Sequence, residues 1–401
     1  MDSKSCVKIA LIGLLFVCIN AEDKLFNVLS YGAKADGNTD NSKAFWSAWR
    51  DACAWNGNAR LLIPLGEYMV HAINFTGPCK GSPLRFQIQG VIKAPKDPKL
   101  FCHPIWISFH YVNGLEIEGG GTLDGQGAYA WHNPQCAIRP STLSLDFIKN
   151  GVVRDIHSIN SKSFHFDVFK SNNMTFSHVN IKAPGNSPNT DGIHIGYSTN
   201  IRVFDSNIAT GDDCISMIAG SQSINISGVT CGPGHGISIG SLGKTPNEVV
   251  KDIYVKDCTL ITTQNGARIK TWASSESGSA TTINFEDIIM KDVRNPIIID
   301  QHYCPIPPCS RQESSVQIKD VTFNNITGSS SSVETVIFNC SASHPCRGIK
   351  LDDINLVHKG YGGPAISYCA NAIGTSTGKQ LPPSCLRSSR SLALSSGHQL
   401  S

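Results

Sequence analysis

Beyond its first twenty positions, the sequence has no apolar run near the roughly 20 residues needed to cross a bilayer, so no membrane partner is expected. Charge of one sign is scarce too. With 34 Lys and Arg against 31 Asp and Glu, the net charge is +3, too slight to imply a nucleic-acid partner, which usually needs a concentrated basic patch, so none is expected. An acidic ligand would have to be met by local cations. Long segments of 3.6-residue apolar period are missing as well, so a helical solenoid is excluded. The one apolar run stands at the start. Lys4 and Lys8 flank the entry to residues 9–19, which are followed by Asn20, Ala21 and the acidic pair Glu22 and Asp23. This predicts a signal peptide over residues 1–21 and a secreted, extracellular product.

Cysteine, by contrast, is plentiful. Of 15 cysteines, Cys6 and Cys18 leave with the signal and 13 remain, in an exported chain where oxidised pairs persist. Short intervening loops predict Cys304 with Cys309, Cys340 with Cys346 and Cys369 with Cys385, and Cys214 with Cys231 is a further candidate pair. An odd total leaves at least one thiol over, and a zinc site is the lesser alternative. Sequons at Asn74, Asn173, Asn225, Asn325 and Asn339 are glycosylation candidates.

A short pattern recurs through the middle of the chain: apolar, any, apolar, any, then often Asp, with another apolar residue three further on. Copies span residues 174–181, 201–208, 224–231, 253–260, 283–290, 316–323 and 349–356. Their second apolar residues are Phe176, Val203, Ile226, Val255, Phe285, Ile318 and Leu351, in steps of 27, 23, 29, 30, 33 and 33 residues. Alternating Ile and Val between Gly, Asn, Asp and Ser suit short strands, each burying its inner face only by stacking on the next. The expected fold is therefore all-β, a parallel β-solenoid with weaker coils upstream through Leu115, Ile117 and Val153. Residues 42–53, with Phe45, Ala48, Trp49 and Ala52 at helical spacing, predict a short helix capping the N-terminal end, where open strand edges need cover. One domain over residues 22–387 follows, with residues 388–401, rich in Ser and lacking periodicity, as a disordered tail.

Four polar clusters interrupt the rhythm: Asn189-Thr190-Asp191, Gly211-Asp212-Asp213, Gly234-His235-Gly236 and Arg268-Ile269-Lys270. Asp191, Asp213, His235 and Arg268 follow one another at 22, 22 and 33 residues, one coil each, so they should lie about 4.8 Å apart on one face. Crowded carboxylates repel, so at least one should hold its proton above the usual range; that supplies an acid beside a base. Arg268 and Lys270 would face outward together, with Ile269 inward, and suit a substrate carboxylate. The glycines beside Asp212 and His235 would let a sugar approach the backbone. Taken singly, each cluster is more often a solvated turn or edge strand. Four in this order at coil spacing favour a site.

The stretches SPNTDGIHIG, TGDDCIS, CGPGHGISIGSLG, ARIKTW and INLVHKGYGGPAIS resemble glycoside hydrolase family 28, the polygalacturonases, over nearly all the mature chain. The resemblance implies a right-handed single-stranded parallel β-helix, inverting hydrolysis of α-1,4-galacturonosidic bonds of pectin, no metal and no cofactor. Carried over residue by residue, Asp212 resembles the general acid, Asp191 and Asp213 the pair that activates water, and His235 the residue that maintains the acid's protonation. Asn189, Arg268, Lys270 and Tyr303 match substrate-binding positions. Within the family, the chain is most similar to plant pollen exopolygalacturonases, some of them allergens, which remove galacturonate from the non-reducing end. A monomer acting on pectin in the plant cell wall is thus expected. An endo-acting polygalacturonase, a calcium-dependent pectate lyase and a non-catalytic pectin-binding wall protein stand as alternatives.

Overall fold

The computed structural model describes residues 23–101, 104–133 and 139–388, together with the backbone of Cys6–Lys8 and Phe16–Cys18, which pair antiparallel. The rest of the expected signal peptide, and the tail from residue 389, lie outside the described residues. From Lys24 onward every strand pairing among the described residues is parallel.

Eleven strands stack into one sheet, running from Ile73–Thr76 through Phe166–Phe169, Ile193–Gly196, Ile215–Met217, Ile237–Leu242, Asn265–Trp272 and Asn295–Tyr303 to Ile366–Ala370. A second sheet carries the other two sides of each coil, as in Thr199–Phe204 and Asn207–Ala209, which follow Ile193–Gly196. From Glu248 on, these two sides merge into single bent strands such as Glu248–Ile261 and Gly278–Val293. Each return to a parallel neighbour is a crossover, and crossovers of this kind turn right-handed. The fold is a right-handed single-stranded parallel β-helix.

The recurrent Asp of the sequence pattern is its corner residue. Asp155, Asp205, Asp257, Asp287, Asn325 and Asp353 occupy one corner column, all with φ between 48 and 54°, with His178 and Gly228 at the same position in the two intervening coils. Asp and Asn tolerate this left-handed region because their short side chains bond locally. Asn325 Nδ2, for example, donates to Asp287 Oδ1 at 2.7 Å.

One copy of the repeat is out of register. The coil partner of Phe285 is Phe323, not Ile318, which pairs with Ala280; the Phe285 and Phe323 rings stack at 5.5 Å. Val316-Gln-Ile-Lys-Asp320 and Val321-Thr-Phe-Asn-Asn325 both fit the pattern. Asp320, with φ 55°, belongs to a second column of left-handed residues that also holds Asn200, Asp252 and Thr282. The pattern had matched one bend for another.

Inside, Phe176, Val203, Ile226, Val255, Phe285, Phe323 and Leu351 are buried in a continuous stack. The N-terminal end is closed by helix Ser42–Ala54, whose Phe45, Ala48, Trp49 and Ala52 are buried, with Trp49 against Phe75 at 5.1 Å and Phe109 at 5.3 Å. Cys53–Cys79 ties this helix down, and the other disulfides among the described residues join Cys214 to Cys231, Cys304 to Cys309, Cys340 to Cys346 and Cys369 to Cys385. Cys102 and Cys136 lie outside the described residues. Cys258 is free and buried, its thiol pushed up to about 12 by burial.

Candidate active site

Strand alternation sets the site. In the eleven-stranded sheet Ile193, Ile215, Ile237 and Ala267 are coil partners facing inward, while the next column, His194, Ser216, Ser238 and Arg268, faces outward. Just before these strands the turns supply Asp191, Asp212, Asp213 and His235, linked coil to coil by Gly192 N to Asp213 O at 2.9 Å and His235 N to Asp212 O at 2.7 Å. The predicted step from His235 to Arg268 is not a coil step. Ile237 pairs with Ala267, and Asn265 follows His235 with Nδ2 donating to its carbonyl at 3.2 Å. Arg268 stands three positions further along and continues the Ser238 column.

The glycines of the clusters serve the stack. A Cβ on Gly211 would lie 2.0 Å from the Ser187 carbonyl oxygen, and one on Gly236, with φ +93°, 2.1 Å from that of Asn265. Neighbouring coils pack backbone against backbone here, and only glycine fits.

Asp213 is 2% exposed and engaged at both oxygens. Its Oδ1 meets Arg268 Nη2 at 2.5 Å and Ser238 Oγ at 2.7 Å, and its Oδ2 meets Lys270 Nζ at 2.9 Å. Burial alone would raise its pKa, but Arg268 and Lys270 outweigh it and hold the carboxyl well below the usual range. Asp191, 5% exposed, goes the other way: burial raises it, its contact with His194 opposes, and the charges of Asp213 and Asp212 push it further up. Ser216 Oγ donates to Asp191 Oδ2 at 2.8 Å, and His194 Nδ1 stands 3.5 Å from the same oxygen. Asp212 is the more open carboxylate. Its Oδ1 lies 2.9 Å from His235 Nδ1 and accepts the Asp213 amide at 2.8 Å.

Asp212, Asp213 and His235 each bring a ligand atom within 4.8 Å of the others, a spacing a cation could use. Arg268 and Lys270 already neutralise Asp213, so a metal would meet two fixed positive charges. The chemistry of the set suits proton transfer better.

These groups open into a cavity of about 460 Å3 lined by Asn189, Asp191, Asp212, Asp213, Lys270 and Tyr303 among others. Arg268 lies beneath it at 7% exposure. Both cations expected to await a substrate carboxylate thus already hold Asp213. Tyr303 is joined to the site through Lys270, whose Nζ sits 5.2 Å from its ring centre.

Sequence reasoning had not singled out His194, Phe164, Ser216, Lys244 or Glu248, which also line the cavity. Phe164 stacks on His194 at 4.2 Å. Burial would lower the His194 pKa, but its contact with Asp191 and the charges of Asp191 and Asp167 carry it above its ordinary value. The available signal was positional: His194 stands three residues after Asp191, on the outward side of the strand that follows it.

The family model of Glycosyl hydrolases family 28 matches residues 53–378. An exopolygalacturonase of Platanus acerifolia is 48% identical over 372 residues, covering 91% of this chain and 98% of that one. A polygalacturonase of Gossypium hirsutum is 44% identical over 382 residues, covering 93% of each. Among solved structures, a hyperthermoactive exopolygalacturonase from Thermotoga maritima superposes with a TM-score of 0.73 at 19% identity, covering 86% of this chain and 89% of that one. That last likeness concerns the fold alone.

Proposed function

The chain belongs to glycosyl hydrolase family 28, and from that premise we propose that it is an exopolygalacturonase, hydrolysing α-1,4-galacturonosidic bonds and releasing galacturonate from the non-reducing end. The observation that carries the reading is a set of three carboxylates in one cavity with divided environments: Asp213 held ionised, Asp191 pushed toward its protonated form and Asp212 open to a ligand beside His235. Glycosidic cleavage needs one carboxyl as acid and another to activate water.

In this reading Asp212 protonates the departing glycosidic oxygen, and His235, hydrogen-bonded to it, keeps its proton in place. Asp213 orients the attacking water and takes up its proton, with Asp191 bonding to the same water. Attack opposite the departing oxygen inverts the anomeric centre. Lys270, Asn189 and Tyr303 line the cavity and contact the sugar, while Arg268 keeps Asp213 ionised from below and shares in binding a uronate carboxylate through that network. The N-terminal signal pattern and the disulfides support secretion to the plant cell wall, and a monomer is expected.

Product analysis on polygalacturonate tests the assignment. Monomer should be the only early product, with no ultraviolet-absorbing unsaturated sugar and no loss on adding EDTA. Asp212→Asn should lower turnover by about 10^2–10^4 with the fold intact. A ladder of oligomers would mean endo action. An unsaturated product abolished by chelator would mean a lyase, and full activity in Asp212→Asn would remove its role as the acid.

A further inference from the structure

Two lysines line the cavity, and their charges stand differently. Lys270 is met from within by Asp213 at 2.9 Å. Lys244, exposed, has no carboxylate within ion-pair distance among the described residues; its Nζ rests over the Trp272 ring, 5.2 Å from the centre. Trp272 packs edge-on against Tyr303 at 5.2 Å, and Tyr303 in turn carries Lys270 at 5.2 Å. Tyr303 therefore lines the cavity with Lys270 on its face, and Trp272, packed behind it, carries Lys244.

The segment bearing Lys244 is held by a buried acid. Glu248 is 8% exposed and accepts from Gly243 N at 2.7 Å, Thr245 N at 3.0 Å and Thr245 Oγ1 at 2.8 Å. Its charge is spent on backbone and hydroxyl donors either side of Lys244. This fixes where the lysine leaves the chain without neutralising it.

We propose that Lys244 is a specificity-determining residue that binds the carboxylate of a second uronate unit, next to the unit at Lys270 and alongside Tyr303. The inference rests on the polygalacturonate reading. A single anionic sugar would find its cation at Lys270 only by competing with Asp213, whereas Lys244 offers an uncompensated charge, and an aromatic face suits the apolar side of a sugar ring. Lysine acts here as a point charge, so arginine should replace it in kind.

The test is steady-state kinetics of the full secreted chain on polygalacturonate and on its methyl-esterified form, over a range of salt. For Lys244→Ala, KM on polygalacturonate should rise about tenfold, the scale of one charge-assisted hydrogen bond, with kcat changed far less. Lys244→Glu should exceed this, and Lys244→Arg should restore KM to within about twofold. The salt dependence of KM should flatten in Lys244→Ala, since a screened charge has gone. On the esterified substrate, wild type and Lys244→Ala should converge. An unchanged KM on polygalacturonate, or an equal rise on both substrates, overturns the proposal. Failure of the wild type itself to hydrolyse polygalacturonate would instead overturn the functional reading, and this inference with it.

Discussion

Replacing Arg268 by Met keeps most of the side-chain length and removes the charge, and the surroundings of Asp213 set the expected cost. Three groups meet that buried carboxylate: Arg268, Lys270 and Ser238. Arg268 also donates through Nε to Ser238 Oγ at 2.8 Å, so its loss strips one counter-charge and loosens the hydroxyl. Breaking a buried ion pair by removing one partner costs about 3–5 kcal/mol. Lys270 remains, so the lower end applies, about 3 kcal/mol. Pairing the change with Asp213→Asn removes the stranded charge and should recover about 2 kcal/mol, a coupling that urea unfolding of the four proteins in a double-mutant cycle would read. The pH dependence adds a second check. In the wild type the Asp213 carboxyl is depressed, so its stabilisation is present above the unfolded value near 4 and lost only as pH falls through the lower folded value. In Arg268→Met, burial faces one cation, the carboxyl rises, and the deficit should shrink as pH is lowered. A loss under about 1 kcal/mol, or a double variant no more stable than Arg268→Met, would refute the view that Asp213 is held ionised by this pair.

Asp167 should behave in the opposite sense: burial lifts its pKa to about 6, with Asp146 and Asp191 adding and His194 opposing, so the stability it confers is present below the unfolded value and lost as pH rises through 6. Asp167→Asn should flatten that decline in urea midpoints between pH 4 and 7, and a parallel decline in the variant would exclude Asp167 as its source. At the corner, Asp257 is exposed and left-handed with φ 53°, so Asp257→Val should cost roughly 1–2 kcal/mol while Asp257→Gly costs less. Equal thermal midpoints for the two variants would show that backbone conformation does not decide the residue there.

Much of this was legible because a solenoid turns sequence spacing into spatial stacking. The apolar positions from Phe176 to Phe285, the cap helix and the four polar clusters could all be read off the chain. Two kinds of feature could not. The Val316–Phe323 copy fitted the pattern yet belonged to another bend, because the motif apolar-x-apolar-x-Asp describes both corner columns equally well. Lys244 and Glu248 carry no periodic signature, and their roles arise from hydrogen bonds across a turn. Arg268 was placed correctly on its strand but three positions along from where its spacing suggested. Its engagement with Asp213 depends on side-chain reach, which periodicity does not encode.

Unequal coil lengths explain where the cavity acquires a wall. The two coils that begin at Ile193 and Ile215 are each 22 residues, whereas the coil from Ile237 to Ala267 takes 30. The rise per coil is the same, about 4.8 Å, so the additional residues must leave the stack. Their place can be found from the register. Nine residues separate Ile215 from Ile224, while sixteen separate Ile237 from its counterpart Ile253. The surplus therefore falls between the site strand and the next side of the coil, in the segment that includes Lys244 and is fastened by Glu248. The short coils leave Asp191, Asp212 and Asp213 at an open mouth. The first long coil beyond them raises one side of it and sets Lys244 there. In a fold of this kind, a jump in coil length just after a set of stacked acidic turns marks the segment in which substrate-selecting residues should be sought.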